Sequence, residues 1–364
     1  MDAKFSSRSL TLISGKFLFW SLAGILTLLA SSLDWFAGRV SWQPQSLTLP
    51  FLLAAVGTWL AGCWAVPVLR ALKAGQIIRE DGPQAHLQKA GTPTMGGVFV
   101  VPVGVAIALL LSGFNTNVLA VSLVTLAYAF IGWIDDWQIL NRRSNKGITP
   151  RQKLLLQIGF GALFCLWVFW QQPINVTHVL LPFGFILPLG FLFWPVAWFA
   201  LVAESNAANL TDGLDGLAGG TGAIALLALG ALVAPNHPDL MVFCAGLGGA
   251  YLGFVSHNRN PARVFMGNLG SLALGGALAG VAILTQSLFV LLILSAIFLA
   301  ETLSVILQVG YYKATKDENG IGKRLFKMAP LHHHLELSGW SEINVVGWFY
   351  SIGLILALLC LVSF

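Results

Sequence analysis

Eleven apolar stretches, each close to the length of a bilayer core, divide this chain, and nothing else in it restricts the fold as strongly. A membrane-crossing helix needs about 20 apolar residues, fewer where packing allows. On that template the stretches run near 17–32, 50–70, 97–113, 116–134, 154–171, 189–203, 218–234, 241–256, 270–286, 288–311 and 344–363. Charge is scarce: 10% of residues are Asp, Glu, Lys or Arg and 57% are hydrophobic, whereas an ordinary soluble domain carries roughly 25% charged residues. That balance excludes a soluble enzyme, a disordered tail and, despite a formal charge of +5, a nucleic-acid binder. The expected fold is an all-α polytopic membrane protein with about eleven transmembrane helices in a lipid bilayer.

Cations test that count, because loops on the inner side carry the excess of Lys and Arg. Alternating from a cytoplasmic N-terminus, the inner segments are 1–16, 71–96, 135–153, 204–217, 257–269 and 312–343. Of the 20 Lys and Arg only Arg39 then falls outside, which places the N-terminus in and the C-terminus out. The first stretch is long and lacks a clear small-residue cleavage site, so it reads as a span and not a signal peptide. The longest outer loop, Gln172–Pro188, alternates apolar and polar residues at Ile174-Asn175-Val176-Thr177, which predicts a short hairpin. Cys63, Cys165, Cys244 and Cys360 sit in apolar runs without metal or disulfide spacing and read as small hydrophobes.

Polar chemistry gathers on the inner face, where charges beside spans default to functional candidates. Asp135 and Asp136 close the fourth stretch. Adjacent carboxylates repel, so both stay ionised only beside a cation. A divalent ion or the basic loop of Arg142, Arg143, Lys146, Arg151 and Lys153 could supply it; the alternative is a polar helix end that anchors the span. Asn209, Asp212 and Asp215 recur every third residue in NAANLTDGLDG, close to one face if that segment is helical. A glycine-rich helix-packing seam would explain the glycines there but not the amide and paired acids. Arg263–Ser271 enters a span through a glycine turn that suits phosphate. In APLHHHLE, His332 and His334 share a side if the segment is extended. Zinc would want ligands from several segments, so substrate contact or proton handling is the expectation for the histidines. Lys89 and Thr94 sit in the loop KAGTPTMGG. Glu301 lies inside a span without an evident role. Carboxylates without thiolates favour a hard cation such as Mg²⁺, and Mg²⁺ with Lys and Arg points to phosphate chemistry.

These motifs, in order from about residue 50 to the C-terminus, resemble the phospho-N-acetylmuramoyl-pentapeptide transferases: KAGTPTMGG, Asp135-Asp136, NAANLTDGLDG, Val264–Ser271 and APLHHHLE. The acidic motifs are shared with the wider polyprenyl-phosphate sugar-1-phosphate transferases; the triple histidine points to the muramoyl-pentapeptide branch. The resemblance implies transfer of phospho-MurNAc-pentapeptide from UDP-MurNAc-pentapeptide to undecaprenyl phosphate, giving lipid I and UMP with Mg²⁺, at a bacterial inner membrane with the site facing the cytoplasm. It implies catalytic roles for Asp135, Asp136, His332 and Lys89. It implies substrate contacts from Thr94, Lys153, Asn209, Asp212, Asp215, Asn258, Phe265, His333 and His334, Asn258 and Phe265 facing uridine. It implies a homodimer. The family pattern has ten spans, so residues 1–49 look like an extension with an added span and 50–364 like the transferase domain. The family also has Asp where this chain has Asn268, the expected Mg²⁺ ligand, with Asp212 as a second. A sister transferase using a UDP-N-acetylhexosamine, a transporter or lipid binder, and a form impaired through Asn268 are the rival expectations. Transport would favour polar residues at mid-membrane.

Overall fold

The computed structural model describes residues 14–72, 89, 91–142 and 147–364. Arg143 and Lys146, two cations of the basic loop after Asp136, lie outside the described residues.

Each apolar stretch folds as helix. In chain order they are α1 (Gly15–Phe36), α2 (Thr48–Ala71), α3 (Gly97–Leu111), α4 (Thr116–Arg142), α5 (Pro150–Gln171), α6 (Phe193–Thr211), α7 (Leu217–Val233), α8 (Pro238–Asn258) and α9 (Gly267–Leu284). A pair, α10 (Leu288–Leu294) and α11 (Ala296–Ala314), and a short α12 (Leu331–Leu337) precede the last helix, α13 (Glu342–Ser363). Among the described residues eight helices are long and apolar enough to cross a membrane. The α10–α11 pair, bent by 72° at Ser295, passes the same test only when taken together, as a broken span or a re-entrant loop would. α3 and α7 are apolar but shorter, with 15 and 17 residues.

α8 and α9 form the centre, 94% and 89% buried along their apolar windows, whereas α1, α2 and α5 are 28% buried and turn most of their surface outward. Small residues let the central helices approach closely, the usual solution where lipid gives no hydrophobic drive between helices. A side chain at Gly249 would run into the backbone of Phe51 on α2, and one at Gly275 into that of Glu204 and Ser205 on α6. The bend at Ser295 is tied to the core by a 2.6 Å hydrogen bond from its Oγ to Glu204 Oε1.

The loop 172–188 forms its hairpin, but later than the alternation suggests. Ile174–Thr177 is a 3₁₀ turn, and the antiparallel strands are β1 (His178–Leu180) and β2 (Ile186–Pro188), with Val179 opposite Leu187. Pro173 starts the turn with φ at −64° and cannot donate to a ladder.

Candidate active site

α4 does not stop at Asp135-Asp136. It continues to Arg142, so both carboxylates project from its last turns and are buried, Asp136 against α9. Gly132 lets the two helices touch: a side chain there would collide with the Asn268 backbone. That contact puts Asp136 at the exposed amides of the α9 start. Asp136 Oδ1 accepts from Asn268 N at 3.1 Å and Asn268 Nδ2 at 2.8 Å, and its Oδ2 accepts from Leu269 N at 3.1 Å. Asp136 therefore caps α9 from another helix, compensating N–H groups that have no partner within the helix. Gly267, at φ +77°, makes the turn, and any Cβ there would strike the Asp136 carboxylate and crowd Thr94.

Asp135 faces another way. Its Oδ1 accepts from Ile148 N at 2.9 Å, and its Oδ2 lies 3.5 Å from Lys153 Nζ. Lys153 Nζ also donates to Asn209 Oδ1 at 2.9 Å and Asn268 Oδ1 at 3.3 Å. Asn209 Nδ2 in turn donates to Asn268 Oδ1 and Ser271 Oγ, both at 2.8 Å. Asp135, Asp136, Lys153, Asn209 and Asn268 thus form one hydrogen-bonded cluster from α4, α5, α6 and α9.

The three-residue spacing of Asn209, Asp212 and Asp215 does not make one helix face. α6 ends at Thr211, and Asp212 leaves helical geometry with ψ at 57°. Gly216, at φ +85°, completes the turn into α7. Asp212 is pushed up to about 7 by burial, then by the Asp136 and Asp215 charges, against a hydrogen bond from the Gly267 backbone. It stands between two clusters.

The second cluster surrounds Asp215. Lys89 Nζ donates to Asp215 Oδ1 at 2.8 Å and to Glu342 Oε1 at 2.6 Å. Burial lowers the Lys89 pKa, but the Glu342 and Asp215 carboxylates outweigh it and hold the ammonium above its usual range. Asn260 Nδ2 donates to Asp215 Oδ2 at 3.2 Å and Glu342 Oε2 at 2.8 Å, and Ala262 N to Asp215 Oδ2 at 3.0 Å. Asn258 is buried and structural in its contacts: Oδ1 accepts from Gly216 N, and Nδ2 donates to Val264 O. Phe265 is half-buried. Its backbone pairs with the Lys89 loop through Phe265 N to Pro93 O and Gly96 N to Phe265 O, both 2.8 Å.

The histidines lie on a helix, α12, not on an extended segment, so His332 and His334 do not share a side. His332 is 1% exposed. Its backbone N donates to Glu301 Oε1 at 3.2 Å, which gives that intramembrane acid a partner. His332 Nδ1 is 3.1 Å from Glu301 Oε2 but out of line for a hydrogen bond, and neither ring nitrogen has a hydrogen-bond partner among the described residues. A side chain on Gly213, between Asp212 and Asp215, would meet its Nε2. His333 pairs with Glu336 at 3.0 Å, and His334 Nδ1 accepts from Lys327 N at 3.1 Å. Only His332 is brought against the acidic turn.

Sequence reasoning missed Glu342, Asn260 and Ser271. A visible signal for Glu342 was a lone acid at the start of the last span, just after the basic 312–327 stretch.

The expected metal site has an amide at its centre. Asp136 carries three N–H donors, and the Asn268 oxygen carries Asn209 and Lys153. Among the described residues no three His, Cys, Asp or Glu side chains are grouped to hold an ion. A hard divalent cation wants oxygen ligands with their lone pairs free; as placed, these side chains do not fit one.

A family model described as glycosyl transferase family 4 matches residues 118–286, from α4 to the turn after α9. Residues 89–101 match the phospho-N-acetylmuramoyl-pentapeptide-transferase signature 1. Whole proteins of that name are similar end to end. That of Nostoc punctiforme is 67% identical over 362 residues, covering 99% of this chain and 100% of its own length. That of Gloeothece citriformis is 57% identical over 364 residues and covers both chains fully. That of Synechococcus elongatus is 57% identical over 353 residues, 95% of this chain and 96% of its own. The chain belongs to the phospho-N-acetylmuramoyl-pentapeptide transferase family. The signature falls on the Lys89 loop and the start of α3, so it contains Lys89 and Thr94. The alignment with the Gloeothece relative covers this whole chain, α1 included.

Proposed function

We propose that this protein transfers phospho-MurNAc-pentapeptide from UDP-MurNAc-pentapeptide to undecaprenyl phosphate, releasing UMP and forming lipid I, the first membrane step of peptidoglycan synthesis. The observation that carries this reading is the Asp135–Lys153–Asn209–Asn268 cluster beside the Lys89–Asp215 pair at one end of the bundle. A boundary site admits a water-soluble donor and a lipid acceptor together. In the transfer, the phosphorus bound to the sugar leaves the oxygen of UMP and becomes bonded to an oxygen of the lipid phosphate.

Positioning and charge neutralisation dominate such chemistry. Asp135, with one backbone donor among the described residues and a distant Lys153 contact, has lone pairs to accept or orient the lipid phosphate proton. Lys153 and Lys89 supply positive charge to the phosphates. Asp136 holds the start of α9 and the Asn268 amide in place. His332, whose buried ring nitrogens have no hydrogen-bond partner among the described residues, suits a substrate phosphate or a proton. Asp212, Asp215, Asn258, Phe265 and Thr94 shape the nucleotide end, and His333 and His334 support the histidine helix.

The site faces the cytoplasm of a bacterial inner membrane, with the N-terminus in, the C-terminus out, and two copies forming a homodimer. A reporter fused before Met1 should then be cytoplasmic and one after Phe364 external; both on one side would sink that topology. Function is tested in detergent with both substrates, measuring UMP. Release that requires undecaprenyl phosphate supports transfer over transport or simple lipid binding. Turnover of UDP-GlcNAc with none of the pentapeptide nucleotide would assign the sister reaction instead.

A further inference from the structure

The start of α1 touches the second cluster. A side chain on Gly15 would collide with the backbone of Asn260, the residue whose Nδ2 bridges Asp215 and Glu342. The cavity between Gly15, Phe19, Asp215, Asn260, Val346 and Tyr350 has room for about one water. We propose that α1 is a positioning element for the donor nucleotide, with Gly15 as its contact residue, acting through Asn260 on Asp215 and Lys89. The proposal rests on the transfer reaction proposed above.

Two further observations make the contact effective. First, α1 is held along its length by a stripe of buried Phe19, Leu22, Leu26 and Ala30 at helical spacing. Second, its far end is locked. Asp34 is fully buried and accepts from Leu47 N, Thr48 N and Thr48 Oγ1 at the start of α2, with Arg39 Nε at 2.9 Å. The helix cannot slide along its axis to relieve crowding at Gly15 without breaking those bonds. Crowding is therefore passed to the Asn260 turn. That turn also carries Ala262 N, which donates to the same Asp215 Oδ2 as Asn260 Nδ2.

The test compares Gly15→Val with Gly24→Val, a position on the same helix with open space around it. UMP binding to the full-length purified protein and steady-state kinetics for both substrates are measured, with thermal stability alongside. Gly15→Val should weaken UMP binding and raise the donor KM by about tenfold, with kcat and the KM for undecaprenyl phosphate within about twofold, the signature of lost uniform binding. Gly24→Val should match the unmodified protein. The milder Gly15→Ala should lie between them and covers the case in which Gly15→Val fails to fold. Equal UMP binding in Gly15→Ala, Gly24→Val and the unmodified protein would overturn the proposal, as would equal losses in kcat and both KM values. Failure of the unmodified protein to turn over the donor would instead overturn the transfer reaction and leave the UMP-binding comparison standing.

Discussion

Lys89 donates to Glu342 at 2.6 Å across 253 residues of sequence, joining the loop that carries the family signature to the first turn of the last span. Glu342 also accepts from the Asp215 backbone N at 2.7 Å and from Asn260 Nδ2. One carboxylate therefore sets the position of the lysine, the acidic turn and the loop after α8.

Replacing that carboxylate by an amide tests its role. Glu342→Gln keeps the shape but loses the charge facing Lys89 and turns one acceptor into a donor. The expected result is a donor KM raised about tenfold with a smaller effect on kcat, because the change acts on binding more than on the reacting atoms. Steady-state kinetics check it; a fall in kcat alone would contradict it.

Lys89→Met should lower stability at neutral pH by about 3 kcal/mol, since breaking a buried pair strands its partners. The Lys89 pKa is raised in the folded state. Its contribution is therefore fully present below the unfolded lysine pKa and is lost as pH rises through the folded one. Thermal unfolding of both proteins against pH should show a constant gap up to about pH 10 that narrows above it. A gap that closes near neutrality would show that another group is responsible.

Asp135→Asn and Asp136→Asn should each reduce turnover at least ~100-fold, the scale of losing a proton acceptor or charge stabilisation. Their stabilities should differ. Asp136 caps α9, so Asp136→Asn should also lower the unfolding temperature, whereas Asp135→Asn, whose one backbone donor among the described residues caps no helix, should not. Near-normal turnover in both would return the pair to an anchoring role.

Asn268→Asp should create a divalent site. A carboxylate there would face Asp136 across the present 2.8 Å hydrogen bond, and two like charges that close are relieved only by a cation or a shared proton. Turnover in the Asp variant should rise and increase with added Mg²⁺ more steeply than in the unmodified protein. A titration showing equal or poorer Mg²⁺ dependence in the Asp variant would exclude this position as a ligand.

The sequence by itself determined membrane embedding, the positions of the apolar helices and the residue types of the site. Those properties follow from length, hydropathy and local motifs, which a linear chain carries openly. Tertiary structure decided how the residues group. The spacing of Asn209, Asp212 and Asp215 suggested one face, but the chain leaves the helix at Asp212 and sends Asp215 to Lys89 while Asn209 stays with Lys153. The histidines suggested an extended segment, but α12 puts His332 alone against Gly213 and gives Glu301 its partner. Glu342 and Asn260 had no periodic signal, because their partners come from other elements. Such contacts depend on which glycine faces let helices close on each other, as Gly132 does at Asn268 and Gly15 at Asn260. Spacing encodes direction within one helix; only packing between helices brings the second partner within hydrogen-bonding distance.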